Sequence, residues 1–313
     1  MPANSSALAR AADAVKSGFA AAAQLGGGTS LPLRVYELAD HSDSAVLEYR
    51  RAVANGAHLV VGPLTRDGVT ALASSGRVTV PTVALNVPEG NYPLPPNLYV
   101  LSLHVEAEAA QVARLAIDEG RLRAVTITAD TPLLRRIQQG FAEAYAKSGG
   151  RVVAEYAYTA DPGALAALRK ALRSDAPDMV FFALDFGQAR LVRPYTGAFA
   201  IYATSQVHPG HGLPLAGFDL AGVRFLDMPW LLQPDHPAVM VYPRPTFSLD
   251  HERLYALGID AYRVGTAVMK GERNVALDGV TGQLRLGPDQ RFIRSLTAAH
   301  FADGKLLIFA GGQ

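Results

Sequence analysis

The residues best suited to carry chemistry in this chain of 313 residues follow directly after apolar runs. Asp130 and Asp185 each come after a predicted buried strand, and Asp219 is a third carboxylate that could act as an acid or a base. General acid–base catalysis needs two groups held in distinct environments, and the spacing of these carboxylates shows no such pair. No phosphate-binding loop, dinucleotide-binding glycine motif or G-x-S-x-G nucleophile motif is present. The sequence therefore indicates a non-enzymatic protein without a catalytic residue or a cofactor.

The stretch HPGH comes nearest to a metal-binding motif. His208 and His211 could share a zinc ion across the Pro-Gly turn, but a site needs a third ligand, and no residue nearby supplies it. We therefore expect two solvated loop histidines and no metal site. Cysteine is absent, so the chain has neither disulfide bonds nor thiolate ligands.

Polar side chains at strand ends give a stronger signal than either motif. In open α/β sheets, ligands bind outside the carboxyl ends of the strands. If two such sheets face each other, the residues after their strands line the crevice between them. Ordinary strand-end and helix-cap chemistry explains each residue, taken alone, equally well. The candidate cleft residues are Leu64, Thr65, Asn86, Asp130, Asp185, Thr204 and Ser205.

The elements that must position these residues alternate between strand and helix in two blocks. Runs such as DMVFFALD are apolar on both faces, as are strands of a parallel sheet that helices cover. This pattern predicts two doubly wound α/β lobes, each with three layers. A long helix over 249–270 and a β-rich tail follow the second block. The predicted strands of the two blocks are 33–38, 58–61, 80–85, 97–101, 123–128, 152–158, 179–184 and 200–204.

The Pro-rich stretch 227–245 does not fit this alternation. It contains the only tryptophan, Trp230, and more apolar residues than a solvated connection needs. Burial in the core or at a hinge explains this composition, and a protein-contact surface with aromatic anchors explains it equally well. The candidate contact residues are Trp230, Leu232 and Tyr242.

Composition excludes several classes of protein. The 29 basic and 28 acidic residues give a formal charge of +1, and no basic block could bind nucleic acid or an anionic membrane surface. No apolar run is long enough to span a bilayer. The chain starts with an Ala-rich helix over 7–23, although every other predicted helix follows a strand. We therefore expect that a strand and any export signal lie upstream of Met1.

Six segments together resemble the LppC/LpoA family of penicillin-binding protein activators of Gram-negative bacteria. The likeness extends over nearly the whole chain in the right order, and the layout more distantly resembles type I periplasmic solute-binding proteins of the branched-chain amino acid class. The segments are HLVVGPL, VPTVALN, YVLSLHVEAEA, IYATSQVHPG, DMPWLL and LYALGIDAYRV.

The resemblance implies that three crossovers join the lobes, near Leu101, Met228 and Gly287. The N-terminal lobe would then comprise 1–101 and 229–287, and the C-terminal lobe 102–228 and 288–313.

The resemblance also implies a function. It indicates a periplasmic lipoprotein, anchored to the inner leaflet of the outer membrane, that binds and activates a class A penicillin-binding protein, a bifunctional peptidoglycan synthase. The alternative is a solute-binding protein that delivers a small ligand to a transporter. The chain departs from the family in two respects: it has no lipobox, so the lipid anchor that would contact the membrane is absent, and it lacks the helical-repeat domain that precedes this module in some members.

The turn after the strand at 58–61 bears on the choice between these functions. In amino-acid-binding relatives this turn offers Ser or Thr to the ligand carboxylate, whereas here Gly62-Pro63-Leu64 occupies it and Thr65 follows. Pro63 has no N–H to donate, and the side chain of Leu64 forms no hydrogen bond. We therefore expect the fold to be kept and the amino-acid site to be degraded. A different ligand, such as a peptidoglycan fragment, remains open.

Overall fold

A computed structural model describes residues 6–26, 32–38, 43–90, 93–210 and 216–309. These residues form two compact units. Unit 1 comprises the described residues up to His104 together with Met228–Ser295, and unit 2 comprises Val105–Asp227 together with the described residues from Leu296 onward. The chain therefore passes between the units three times, and the predicted fold class of two α/β lobes joined by three crossovers is confirmed.

The described helices and strands follow the predicted alternation, and several of their bounds agree with the predicted ones to within one or two residues. The helices are α1 Ser6–Leu25, α2 Asp43–Ala54, α3 Arg66–Ser74, α4 Val105–Asp118, α5 Pro132–Lys147, α6 Pro162–Asp175, α7 Phe186–Val192, α8 Ala216–Asp219, α9 Pro229–Leu232, α10 Pro237–Met240 and α11 Leu249–Met269. The strands are β1 Val60–Val61, β2 Thr82–Ala84, β3 Leu98–Val100, β4 Arg123–Thr128, β5 Arg151–Ala157, β6 Met179–Ala183, β7 Ala200–Ala203, β8 Val223–Asp227, β9 Ala276–Gly279, β10 Gly282–Leu286, β11 Phe292–Ser295, β12 Thr297–Ala302 and β13 Lys305–Phe309.

Unit 2 contains a seven-stranded sheet in the order β13-β12-β8-β7-β6-β4-β5. The strands from β4 to β8 are parallel, and β12 runs antiparallel to both β8 and β13. All five residues of β6 are buried, as the apolar run predicts. Because β4 lies between β5 and β6, the strand order reverses there, and the carboxyl ends of β4 and β6 flank the position at which open α/β sheets bind ligands.

Unit 1 contains two smaller sheets. β1, β2 and β3 form a parallel sheet, and β9, β10 and β11 form an antiparallel sheet. Apolar residues of α1, α11 and both sheets share one core cluster, which includes Val15, Val83, Val264 and Leu284. The long helix α11 therefore supplies the buried face that the periodicity over 249–270 predicts.

The strand predicted over 33–38 is wrong. Among the described residues, 32–37 form no strand, and the side chains of Leu33 and Val35 are 58% and 50% exposed. Alternating apolar residues favour a strand only where a neighbouring strand offers hydrogen-bond partners. Only its last residue, Leu38, forms an isolated β-bridge, so the segment does not become a strand.

The second crossing between the units, at Asp227–Met228, lies at the expected position, and the other two lie later than expected. The first lies at His104–Val105 and the third at Ser295–Leu296, whereas crossovers were expected near Leu101 and Gly287. The third is later because β11 pairs with β10 along its length, with Ser295 opposite Gln283, so β11 stays in unit 1.

Two glycines allow α1 and α11 to pack closely. A Cβ atom at Gly258 would lie 2.1 Å from the carbonyl oxygen of Val15, and one at Gly18 would lie 1.9 Å from that of Tyr255. These separations are far below van der Waals contact and involve backbone atoms, which cannot move aside as a side chain can. The two helix backbones therefore approach each other only because both positions lack a side chain.

We predict that Gly258→Ala lowers the free energy of unfolding by about 1–3 kcal/mol, because the added methyl group forces α1 away from α11. Gly187→Ala in α7 is the matched control, since its Cβ would meet Asp185 at an ordinary 3.5 Å. The control should be neutral or slightly stabilising, because Ala favours a helix by up to about 1 kcal/mol over Gly. Urea unfolding of both variants measures the difference, and equal effects would contradict the close packing.

Candidate functional site

In unit 1 the predicted cleft residues bond to one another and to the backbone beside them. The amide Nδ2 of Asn86 donates to the carbonyl oxygen of Leu64 at 3.0 Å, and the hydroxyl of Thr65 accepts from the N–H of Gly68 at 3.3 Å, capping α3. The side chain of Leu64 is 8% exposed and packs in the core. Leu64 therefore does not line a ligand site, and that prediction is corrected. Thr65 and Asn86 hold the turn after β1 in place.

In unit 2 two predicted carboxylates follow the strands at which the order of the sheet reverses. Asp185 caps α7 in a capping box: its carboxylate accepts from the N–H of Gln188 at 2.8 Å, and its own N–H donates to Oε1 of Gln188 at 3.0 Å. Asp130 is exposed and forms an ion pair with Arg135. Thr131, rather than Asp130, caps α5 by accepting from the N–H of Leu134 at 3.2 Å. Both carboxylates thus lie at the same edge of the sheet with local partners.

A buried carboxylate of α4 lies against the residues that follow β7, and the sequence analysis missed it. Glu108 of α4 is 8% exposed and accepts hydrogen bonds from both the N–H and the hydroxyl of Ser205, the latter at 3.2 Å. Glu108 has a signal in the sequence, since it lies at helical spacing with the apolar residues Val105 and Val112. By contrast, the hydroxyl of Thr204 is buried and has no hydrogen-bond partner among the described residues.

His208 differs from the expected solvated loop histidine. Its side chain is 3% exposed, and Nδ1 lies 2.8 Å from Oδ2 of Asp227, whose side chain is 2% exposed. This buried pair joins the turn after β7 to the end of β8. His211 lies outside the described residues. Within those ranges, no group of three or more His, Asp or Glu residues could hold a metal ion.

The candidate cleft residues therefore fall into two sets, one in each unit. Thr65 and Asn86 belong to unit 1, and the remaining polar members belong to unit 2. Inside each unit they lie at the carboxyl ends of strands, where the sequence placed them. That the two sets line a common cleft stays a prediction.

Trp230 organises the Pro-rich stretch that begins at the second crossing. It is fully buried, and its indole N–H donates to Oε2 of Glu252 at 3.1 Å. The guanidinium of Arg244 lies 4.0 Å from the centre of the indole ring and donates to the carbonyl oxygen of Trp230 at 2.6 Å. Burial lowers the pKa of Arg244, and the carboxylate of Glu252, 3.9 Å away, opposes this effect.

The expectation that Trp230 contacts a partner is therefore corrected, because an unexposed side chain offers no contact area. Its role is internal: together with Arg244 and Glu252 it forms a clasp that holds the stretch against α11. The hydroxyl of Tyr255 adds a hydrogen bond to the carbonyl oxygen of Pro243 at 3.1 Å. Leu232 and Tyr242 are half-buried, so their role as contact residues stays a prediction.

Similarity to known proteins identifies the family of this chain. The chain matches the family described as "LppC putative lipoprotein" over residues 2–170 and 159–304. The chain belongs to the LppC family. One relative, the penicillin-binding protein activator LpoA of Pectobacterium parmentieri (strain WPP163), is 26% identical over 341 residues, which cover 92% of this chain and 49% of that protein. The chain thus spans about half the length of the curated relatives it matches.

Two solved structures share the fold of this LppC chain. The structure of a "putative branched-chain amino acid ABC transporter" from Chromobacterium violaceum ATCC 12472 is 43% identical, with a TM-score of 0.79 and coverage of 96% of this chain and 97% of that chain. The LpoA (YraM) C-domain from Haemophilus influenzae, described as a regulator of PBP1A, is 18% identical, with a TM-score of 0.78 and coverage of 99% and 98%. The second likeness shows the fold alone.

We predict opposite effects for two neighbouring substitutions after β7. Thr204→Val should leave the free energy of unfolding unchanged or raise it by about 1 kcal/mol, because it removes a buried hydroxyl without a described partner. Ser205→Ala should lower it by about 1–2 kcal/mol, because Glu108 loses a donor in a buried site. Chemical denaturation of both variants makes the comparison, and a loss at Thr204 equal to that at Ser205 would indicate a hydrogen bond to that hydroxyl.

We also predict that Glu252→Ala lowers the free energy of unfolding by about 1–3 kcal/mol, because it leaves the buried indole N–H of Trp230 unpaired. Asp250→Ala is the matched control one half-turn away, since the side chain of Asp250 is 89% exposed and its ion pair with Arg253 contributes less than about 1 kcal/mol. Thermal unfolding with tryptophan fluorescence suits the test, because Trp230 is the only tryptophan. A small effect of Glu252→Ala would show that the clasp does not depend on this carboxylate.

Proposed function

We propose that this chain is the part of a periplasmic regulator that binds a class A penicillin-binding protein and raises its synthetic activity without itself catalysing a reaction. The match to the LppC family over nearly the whole chain carries the proposal, together with curated relatives named penicillin-binding protein activators. The partner is then a bifunctional peptidoglycan synthase.

The hydrogen bonds that the polar side chains at the strand ends already make favour a regulator over a solute receptor. A receptor must offer polar groups that bond every buried polar atom of its ligand, since each unpaired one costs about 1–3 kcal/mol. In this protein Asn86, Asp185 and Ser205 already bond within their own unit. A ligand that used the same donors and acceptors would have to break those bonds first.

The same family match supports a location. We propose that the protein faces the periplasm as a lipoprotein of the outer membrane, held in the inner leaflet by a lipid anchor. None of the described helices is long and apolar enough to cross a membrane.

A second candidate function is a solute-binding protein of the branched-chain amino acid type. The observation that favours it is the 43% identity to the Chromobacterium violaceum structure described as such a transporter. A peptidoglycan fragment is a further candidate ligand for the strand ends. The two functions differ in what the protein binds: a small molecule for the solute receptor, and another protein for the regulator.

Two measurements on the full chain decide between them. We expect the protein to bind the periplasmic part of the class A synthase from the same bacterium and to raise its rate of glycan polymerisation. In a thermal-shift screen against amino acids and muropeptides, we expect no stabilisation near the roughly 2.7 kcal/mol that a ligand at 100 times its dissociation constant would give. No binding to the synthase at tens of micromolar, together with a clear shift from one solute, would favour the solute receptor.

A further inference from the structure

The strand β13 forms one edge of the seven-stranded sheet of unit 2. It pairs with β12 on one side, and within the described residues no strand pairs with its other side. After Lys305 the strand consists of four apolar residues in a row, and the consecutive residues Leu307 and Ile308 are 44% and 48% exposed. An exposed apolar edge strand is a template for pairing with a further strand.

The opposite edge of the same sheet is protected against such pairing. β5 carries the exposed charged residues Arg151 and Glu155, and its register with β4 shifts between Ala124 and Val125, as at a β-bulge. Charged side chains and bulges are devices by which proteins block their edge strands. β13 has only one charged residue, at its first position, and its register with β12 is regular. The two edges therefore differ in a way that favours pairing at β13.

The register of the hairpin fixes which backbone groups of β13 point away from the sheet. In β12 the carbonyl oxygen of Phe301 accepts from the N–H of Gly222 at 2.8 Å, on the side away from β13. Backbone groups point alternately to the two sides along a strand of an antiparallel pair, so Leu306, which lies opposite Phe301, turns its N–H and C=O away from β12. Ile308, two residues on, does the same. The outer edge of β13 thus offers two donors and two acceptors to a further strand.

We propose that a second copy of this chain pairs with β13, antiparallel to it and about a two-fold axis at Leu307. Leu306 of each copy then lies opposite Ile308 of the other, and the two outward N–H groups of each copy meet the two outward carbonyl oxygens of the other. The edge is self-complementary in this register, as a two-fold interface requires.

The side chains of β13 also suit pairing with an identical strand. Leu307 meets Leu307 of the second copy at the axis, where a charged residue would meet its own like charge. Lys305, the only charged residue of the strand, lies opposite Phe309 of the second copy. The two Lys305 residues are then about 13 Å apart along the strands, at about 3.3 Å per residue. This separation exceeds the roughly 8 Å over which physiological salt leaves exposed charges unscreened, so their repulsion does not oppose pairing.

Sedimentation of the full chain, from micromolar to millimolar concentration, tests for the pair. We expect a reversible equilibrium between monomer and dimer. Leu307→Glu should weaken dimerisation at least tenfold, because two carboxylates would meet at the axis. The matched control is Leu191→Glu in α7, whose side chain is 50% exposed and whose substitution should leave the equilibrium unchanged. A native chain that stays monomeric at millimolar concentration, or a dimer that Leu307→Glu does not weaken, would overturn the proposal.

Mixing two variants tests the two-fold register. Leu307→Lys alone should be as poor a dimer as Leu307→Glu, whereas an equimolar mixture of the two should dimerise at least tenfold more tightly than either, because Glu then meets Lys. Recovery in the mixture also shows that neither variant lost the dimer by failing to fold. A mixture that stays monomeric would overturn pairing about Leu307.

Hydrogen exchange distinguishes a second copy from another occupant of this edge. The outward amides of Leu306 and Ile308 should exchange at least tenfold more slowly at millimolar than at micromolar concentration. If they slow only when the class A synthase is added to a monomeric chain, a strand of that protein occupies the edge, and the pairing of two copies is overturned.

Discussion

The carboxylate of Asp260 is the interaction on which the architecture of unit 1 depends. It is fully buried in α11 and accepts hydrogen bonds from the N–H of Val280 at 3.1 Å and from the N–H and hydroxyl of Thr281, both at 2.7 Å. Burial raises the pKa of Asp260, because removal from water disfavours the charged form, while the Thr281 and Val280 donors and the Arg263 guanidinium oppose that rise. A buried carboxylate is tolerated only where such donors converge. The turn between β9 and β10 is therefore fixed against α11.

The turn between β9 and β10 also anchors the segments that lead to unit 2. The carbonyl oxygen of Val280 accepts from the N–H of Trp230, and that of Thr281 accepts from the guanidinium of Arg294, both at 2.9 Å. Arg294 also donates to the carbonyl oxygen of Ser102 at 2.9 Å. Ser102, Trp230 and Arg294 each precede or follow one of the three crossings by a few residues. All three connections are thus held in unit 1 by one turn, and Trp230 links the same turn to the clasp that it forms with Arg244 and Glu252.

The sequence predicts the elements of this protein better than the partners of its polar groups. The predicted strand 123–128 coincides with β4, because an apolar run between turn residues depends on local chain properties. The prediction of a strand at 33–38 is wrong, because alternating apolar residues do not indicate whether a neighbouring strand is present. Asp260 and Glu108 were missed as anchors, since their donors lie far away in the sequence, although a carboxylate at an apolar helical position is itself a signal. For Trp230 the sequence leaves burial and partner contact both open, because burial of a single aromatic residue depends on tertiary packing.

The hydrogen bonds already made at the strand ends of each unit set the cost of binding a small polar ligand there. At the strand ends, capping and internal hydrogen bonds occupy the polar groups of Thr65, Asp185 and Ser205, so a small polar ligand would gain little beyond the bonds it breaks. A receptor built on this fold would therefore need polar groups at these positions that its own unit leaves unbonded.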